Sequence, residues 1–142
     1  MEKPIPPAVP AATIMLLRDG EAGLEVFMVV RHHQIDFASG ALVFPGGKVD
    51  AQDTDARVLD RLAVYEGATA GQSELRAAAI REAFEESGIL LARGREHGAL
   101  PPEERLAGWR DGLNDKSLTL GELLEAGDLT VSCDDLVHFA HW

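Results

Sequence analysis

Cysteine is almost missing from this chain. The single Cys133 cannot close an intrachain disulfide, so the sequence suits a reducing, cytoplasmic compartment. Asp134 and Asp135 follow it, and a low-pKa thiolate needs positive neighbours, so no catalysis by this thiol is expected. Positive charge is also scarce, with 13 lysines and arginines against 24 aspartates and glutamates and a net charge of −11. Without a basic patch to neutralise phosphates, nucleic acid is not an expected partner. The longest apolar run near the N-terminus, residues 11–17, is far shorter than the ~20 residues that cross a bilayer, so no membrane partner is expected. The opening Met1-Glu2-Lys3-Pro4-Ile5-Pro6-Pro7 lacks the basic-then-apolar order of a secretory leader. There is no internal repeat and no linker, and 142 residues at 46% hydrophobic content suggest one domain with one core.

Residues 1–10, rich in proline, read as a flexible lead-in. Residues 11–17 and 24–31 read as strands joined by a turn at 18–23, the second so continuously apolar that burial on both faces is expected. A short strand at 41–44 leads into Pro45-Gly46-Gly47, where the paired glycines suggest a turn with unusual backbone angles. Residues 56–65 suggest a short helix with Val58, Leu59 and Leu62 inward. A long helix is predicted from Ser73 as N-cap to Gly88 as C-cap glycine. After it come the start of a strand at 89–91, helices at 102–109 and 120–126, and a strand at 136–142.

The long helix carries the chemistry. At 3.6 residues per turn, Glu82 and Glu86 stand about 40° apart and Glu82 and Glu85 about 60° apart, so three carboxylates share one face. Ala77, Ile80, Phe84 and Ser87 fall opposite, which predicts an acidic stripe facing away from an apolar one. Each like-charge pair costs an isolated helix about 0.2–0.5 kcal/mol, and only Arg81, four residues before Glu85, offsets it. A hard divalent cation is the best physical reason for such a cluster. A glutamate-rich helix can also be no more than a solvated face; the Pro-Gly-Gly segment upstream favours the functional reading.

Together these residues resemble the Nudix hydrolases, whose box runs Gly, five residues, Glu, seven residues, then Arg-Glu-U-x-Glu-Glu-x-Gly-U, with U a bulky aliphatic. Gly47 opens the box, and Arg81, Glu82, Glu85, Glu86, Gly88 and Ile89 match its second half, with Ala83 small for its place. Between Gly47 and Arg81 lie 33 residues, about 20 more than the ordinary box has, so an insertion is assigned to about residues 51–72. Counting eight back from Arg81 puts the isolated box glutamate at Ser73, with Glu74 one step off. The interrupted box after Phe44-Pro45-Gly46-Gly47-Lys48-Val49-Asp50 is similar to the coenzyme A diphosphatase-like branch.

The resemblance implies an α/β fold, a Nudix-type α/β/α sandwich with a mixed β-sheet, formed by a single domain at 11–142. Later strands of that fold are not evident, so the domain is expected to be incomplete at its C-terminus, truncated after 142. It also implies a hydrolase that cleaves a diphosphate linkage in a nucleotide-containing compound, coenzyme A or an acyl-CoA among them. A nucleotide-sugar or dinucleotide diphosphatase and a non-catalytic Nudix-like ligand-binding module are the alternatives. Arg81, Glu82, Glu85 and Glu86 are the implied catalytic residues, and Gly47, Glu82, Glu85 and Glu86 the implied ligands of Mg2+ or Mn2+. Arg31 and Lys48 are candidate contacts to a small nucleoside diphosphate-type substrate, and Asp50 is placed behind them. His138 and His141 do not share a strand face and are not expected to share a metal, and Trp109 is expected in a helix core. The insertion is expected to lie on the surface and to be dispensable for folding. No oligomeric state is assigned.

Overall fold

A computed structural model describes residues 7–30, 40–62, 72–96 and 98–141. Helices and strands are mixed along the chain, as an α/β assignment requires. Strand β1 (Ala11–Thr13) pairs antiparallel with β6 (Gly46–Lys48), and Ile14 N–H to Pro45 carbonyl and Val49 N–H to Pro10 carbonyl, both 2.9 Å, extend that ladder at each end. Strands β2 (Leu17–Gly20) and β3 (Gly23–Val26) form a hairpin, β4 (Val29–Val30) pairs with β5 (Leu42–Val43), and β7 (Ala92–Gly94) pairs with β8 (Leu129–Val131). All these ladders are antiparallel, and among the described residues parallel pairing is limited to the bridge Leu62–Val131.

Between β6 and β7 the chain forms a 3-10 turn (Ala51–Thr54), α1 (Ala56–Leu59) and the long helix α2 (Gln72–Ser87). Helices α3 (Glu103–Asn114) and α4 (Leu120–Ala126) precede β8, and a second 3-10 turn (Cys133–Asp135) follows it. Helix α2 stops where the sequence places its cap: Gly88 has φ +78°, closed to most side chains, and donates to the Phe84 carbonyl at 2.9 Å. Its start lies at Gln72, one residue before the expected cap Ser73. The start of α4 is a capping box, with Thr119 and Glu122 each accepting from the other's backbone N–H.

Helix α2 lies between two apolar clusters. Ala77, Ile80 and Phe84 join Val58, Leu62, Leu113, Leu120, Leu123, Leu124, Leu129 and Val131 in the main core, whereas Ala79 and Ala83 pack with Ile14 beneath β1. The small side chain of Ala83, a departure from the box pattern, is fully buried on that second side. An acidic stripe facing away from one apolar stripe is therefore not what forms: the helix is buried on two sides and its glutamates are wedged between them.

Four further expectations are corrected. The apolar run at 24–30 is not buried on both faces. Leu24, Val26, Phe27, Met28 and Val30 are exposed, and Leu16, Leu17, Val26, Phe27, Met28 and Ile89 line an open groove of about 500 Å3. Residues 136–141 form no strand, and Val137 and Phe139 are among the most exposed side chains; β8 at Leu129–Val131 is the late strand instead. Gly46 and Gly47 sit in extended strand β6, not in a turn with unusual angles, and a Cβ on Gly46 would lie 2.5 Å from the Ala12 carbonyl oxygen. The glycines give room for close approach.

The fourth correction concerns the insertion. Its described part, 51–62, is built into the core: Asp53 and Val58 are fully buried, Leu62 nearly so, and the Gln52 side chain accepts the Leu120 N–H at 2.9 Å to cap α4. Val58 and Leu62 do point inward and Leu59 packs against the core, as the sequence predicts. The rest of the predicted helix at 56–65 falls partly outside the described residues.

Candidate active site

Pairing of β6 with β1 brings Gly47 directly over α2. A Cβ at Gly47 would overlap Glu82 Oε1 and stand 2.7 Å from Glu82 Cδ, so any larger residue would displace this carboxylate. The Gly46 backbone N–H faces the Glu86 side chain and favours its charged form. The Gly-Gly pair and the helix therefore meet, as the box resemblance implies.

Arg81 organises the space between them. It is a buried residue, its side chain 5% exposed, and its guanidinium makes a bidentate pair with Asp53: Nε to Oδ1 at 2.8 Å and Nη2 to Oδ2 at 3.0 Å. Nη1 donates to Glu82 Oε1 at 2.9 Å and to Glu85 Oε1 at 3.2 Å, and Nη2 reaches the Lys48 carbonyl at 3.1 Å. Burial opposes the charge on Arg81, but its hydrogen bonds to Asp53 and the nearby charges of Glu82 and Glu85 hold its pKa above the ordinary value. Arg81 thus contacts two box carboxylates, Glu82 and Glu85, while Asp53 and the Lys48 carbonyl hold its guanidinium.

Asp53 is the residue that reading the sequence missed. It is fully buried, and besides both Arg81 bonds its Oδ2 accepts the Asp50 N–H at 2.8 Å, while Asp50 Oδ1 accepts from Gln52 N–H at 3.1 Å. The signal was present. Counting six forward from Gly47 lands on Asp53, a carboxylate where the box has its isolated glutamate, whereas counting back from Arg81 crosses the insertion and lands on Ser73. On that count the front half of the box is continuous and the extra residues fall after Asp53.

The three glutamates are brought to one patch in unequal states. Glu85 is held above the usual carboxylate range by burial, which Arg81 only partly offsets. Glu86 is also raised, first by burial and then by the charges of Glu82 and Glu85, with the Gly46 N–H opposing. Among the described residues Glu86 Oε2 is buried with no hydrogen-bond partner. Among the described residues no three His, Cys, Asp or Glu side chains stand ready at ion-binding spacing, because Glu82 and Glu85 are turned onto Arg81. The donor set still fits a hard cation: it is all oxygen, burial raises the pKa of Glu85 and Glu86, and among the described residues it includes an orphaned buried oxygen.

Lys48 contributes its backbone to the site and its side chain is exposed. Asp50 serves to cap the 3-10 turn. Arg31 lies outside the described residues, as do His32 and His33. His138 and His141 lie on the exposed segment after the last 3-10 turn, away from any strand. Cys133 is buried and its thiol is pushed up by burial, with Arg76 opposing, which disfavours the thiolate. Trp109 packs against the main core from α3.

An α/β fold in which a glycine-bearing strand crosses a helix carrying Arg-Glu-x-x-Glu-Glu defines a Nudix-type protein. Residues 7–117 match the family model described as NUDIX domain, and the chain belongs to that family. Among solved structures it is similar to that titled "Crystal structure of NUDIX hydrolase from Alicyclobacillus acidocaldarius", with a TM-score of 0.62 and 28% sequence identity. The likeness covers 87% of this chain and 56% of that one, so the chain spans just over half the length of the protein it matches. Helix α4, strand β8 and the last 3-10 turn come after the residues matched by the family model. No described helix is long and apolar enough to cross a membrane.

Proposed function

We propose that this chain is a metal-dependent Nudix hydrolase that cleaves a diphosphate linkage in a nucleotide-containing small molecule, with coenzyme A or an acyl-CoA the first substrate to test. The observation that carries the reading is the clamp of Arg81 between Asp53 and two box glutamates, directly beside Gly47 and the unpartnered oxygen of Glu86. Burying a guanidinium and four carboxylates together is costly, and a core needs no such cluster for stability.

Glu82, Glu85, Glu86 and the Gly47 carbonyl would hold Mg2+ or Mn2+. When bound, such an ion neutralises the diphosphate and stabilises charge on the leaving oxygen. Water attacks one phosphorus, the bond from that phosphorus to the bridging oxygen breaks, and two phosphate-bearing products leave. Arg81 holds Glu82 and Glu85 in register. Lys48 and Arg31 are the cations assigned to substrate phosphates. The near-absence of cysteine, and a buried Cys133, support a cytoplasmic protein.

Box residues supply chemistry and pocket residues choose the substrate. Purified chain with Mg2+ or Mn2+ should therefore be screened against coenzyme A, acyl-CoA, ADP-ribose, nucleotide sugars and dinucleotides. Release from another substrate with none from coenzyme A removes the first choice. A second reading, a non-catalytic ligand-binding module, is favoured by the engagement of Glu82 and Glu85 with Arg81. Calorimetric titration separates the two: no magnesium or manganese binding at millimolar concentration sinks the enzyme reading.

A further inference from the structure

We propose that Arg110, on α3, is a positioning residue for the last turn of α2, acting through the main chain of Glu85 and Glu86. The inference rests on the assignment of those two glutamates as metal ligands made above.

The final carbonyls of a helix have no donor within the helix. Phe84 is served by the Gly88 N–H. The Ile89 N–H, which would reach Glu85 had the helix continued, turns instead to Ser87 Oγ at 3.0 Å. That leaves the carbonyls of Glu85, Glu86 and Ser87, and Arg110 takes the first two: Nε donates to Glu85 O at 2.9 Å and Nη2 to Glu86 O at 2.8 Å. Asn114, one turn along α3, adds a longer contact to Glu85 O at 3.5 Å.

Two donors of one rigid fork on consecutive carbonyls restrain both the position and the rotation of that turn, and a cation there also complements the helix dipole. The guanidinium lies against Gly88, with Nη1 3.5 Å from where a Cβ would stand. Glu85 is thereby held at both ends, by Arg81 on its carboxylate and by Arg110 on its carbonyl. A residue outside the Arg-Glu-x-x-Glu-Glu motif thus sets where the carboxylates of Glu85 and Glu86 begin.

The test compares Arg110→Met, Arg110→Lys and a control from the same helix, Arg105→Met. Arg105 stacks on Trp109 at 4.8 Å from the ring centroid and donates to the Ala126 carbonyl, touching neither glutamate. Two readouts are taken: amide hydrogen exchange at 85–88 in the metal-free chain, and Mn2+ affinity by titration. Arg110→Met should speed exchange at 85–88 and weaken Mn2+ binding about 10- to 100-fold, the range seen when outer groups that orient metal ligands are lost. Arg110→Lys should fall between it and the wild type, and Arg105→Met should keep wild-type affinity. Wild-type Mn2+ affinity in Arg110→Met, or an equal loss in Arg105→Met, overturns the proposal. If Arg110→Met does not fold, Arg110→Lys decides by the same two readouts, and wild-type values in both overturn it. If the wild type binds no Mn2+, the proposed function fails separately, and the exchange rates alone decide: unchanged rates in Arg110→Met overturn the positioning role.

Discussion

Replacing Asp53 by Asn removes one charge and almost no volume, yet it should be among the most damaging single changes in the chain. Asp53 is fully buried and accepts three hydrogen bonds, two from Arg81 and one from the Asp50 N–H. An asparagine can accept on one oxygen only, so its amide nitrogen must face a donor. Removing one partner of a buried ion pair costs about 3–5 kcal/mol. Arg81 keeps Glu82 and Glu85, which places the expected loss near the lower end, about 3 kcal/mol. For a domain of this size, 1 kcal/mol moves the melting temperature by about 4 °C, so Asp53→Asn should melt about 12 °C lower. Turnover should fall with it even below that temperature, because Arg81 loses the anchor that holds the box carboxylates. Thermal unfolding by circular dichroism and a diphosphatase assay at 20 °C read the two effects. A melting temperature within about 2 °C of wild type, with full activity, would refute the claim that this pair organises the site.

Glu86→Gln should cut turnover at saturating magnesium by about 100-fold or more, as loss of a strong electrostatic group does; near wild-type turnover removes Glu86 from the site. The folded pKa of Glu86 is raised above its ordinary 4.5, so its stabilising contribution is full below that value and is lost as pH rises through the folded pKa. Metal-free Glu86→Gln should therefore gain stability relative to wild type as pH climbs from about 4 to 8, and a constant difference across that range contradicts the burial. Gly47→Ala should lower both melting temperature and metal affinity, since the new Cβ would overlap the Glu82 carboxylate; an unchanged Mn2+ titration shows that β6 and α2 are farther apart. Deleting residues 52–70 removes Asp53, Val58 and Leu62 from the core, and the product should show no cooperative melt, whereas a folded product returns the insertion to the surface.

Several elements were legible because their signals are local. Gly88 ends α2 because few other residues adopt its positive φ, and 120–126 is a helix with its own capping box. The grouping of Glu82, Glu85 and Glu86 follows from helical spacing alone. Other readings failed where a local pattern met a non-local partner. Residues 24–30 look like a buried strand, yet burial needs something to cover both faces, and among the described residues Leu24, Val26, Phe27, Met28 and Val30 stay exposed. Residues 136–141 have a strand's composition but no ladder to join, whereas Leu129–Val131, a weaker pattern, finds β7.

The sequence by itself determined the family, the helix that carries the acidic residues, and the identity of the groups that could hold a cation, since these depend on residue order and on period. Tertiary structure alone decided their states. Twenty-seven residues separate Asp53 from Arg81 along the chain, and only folding buries the two charges 2.8 Å apart. Burial there raises Glu85 and Glu86, turns Glu82 and Glu85 onto Arg81, and leaves one oxygen of Glu86 unpartnered. The strength of a charge depends on what surrounds it, and those surroundings come from strands and helices distant in the chain.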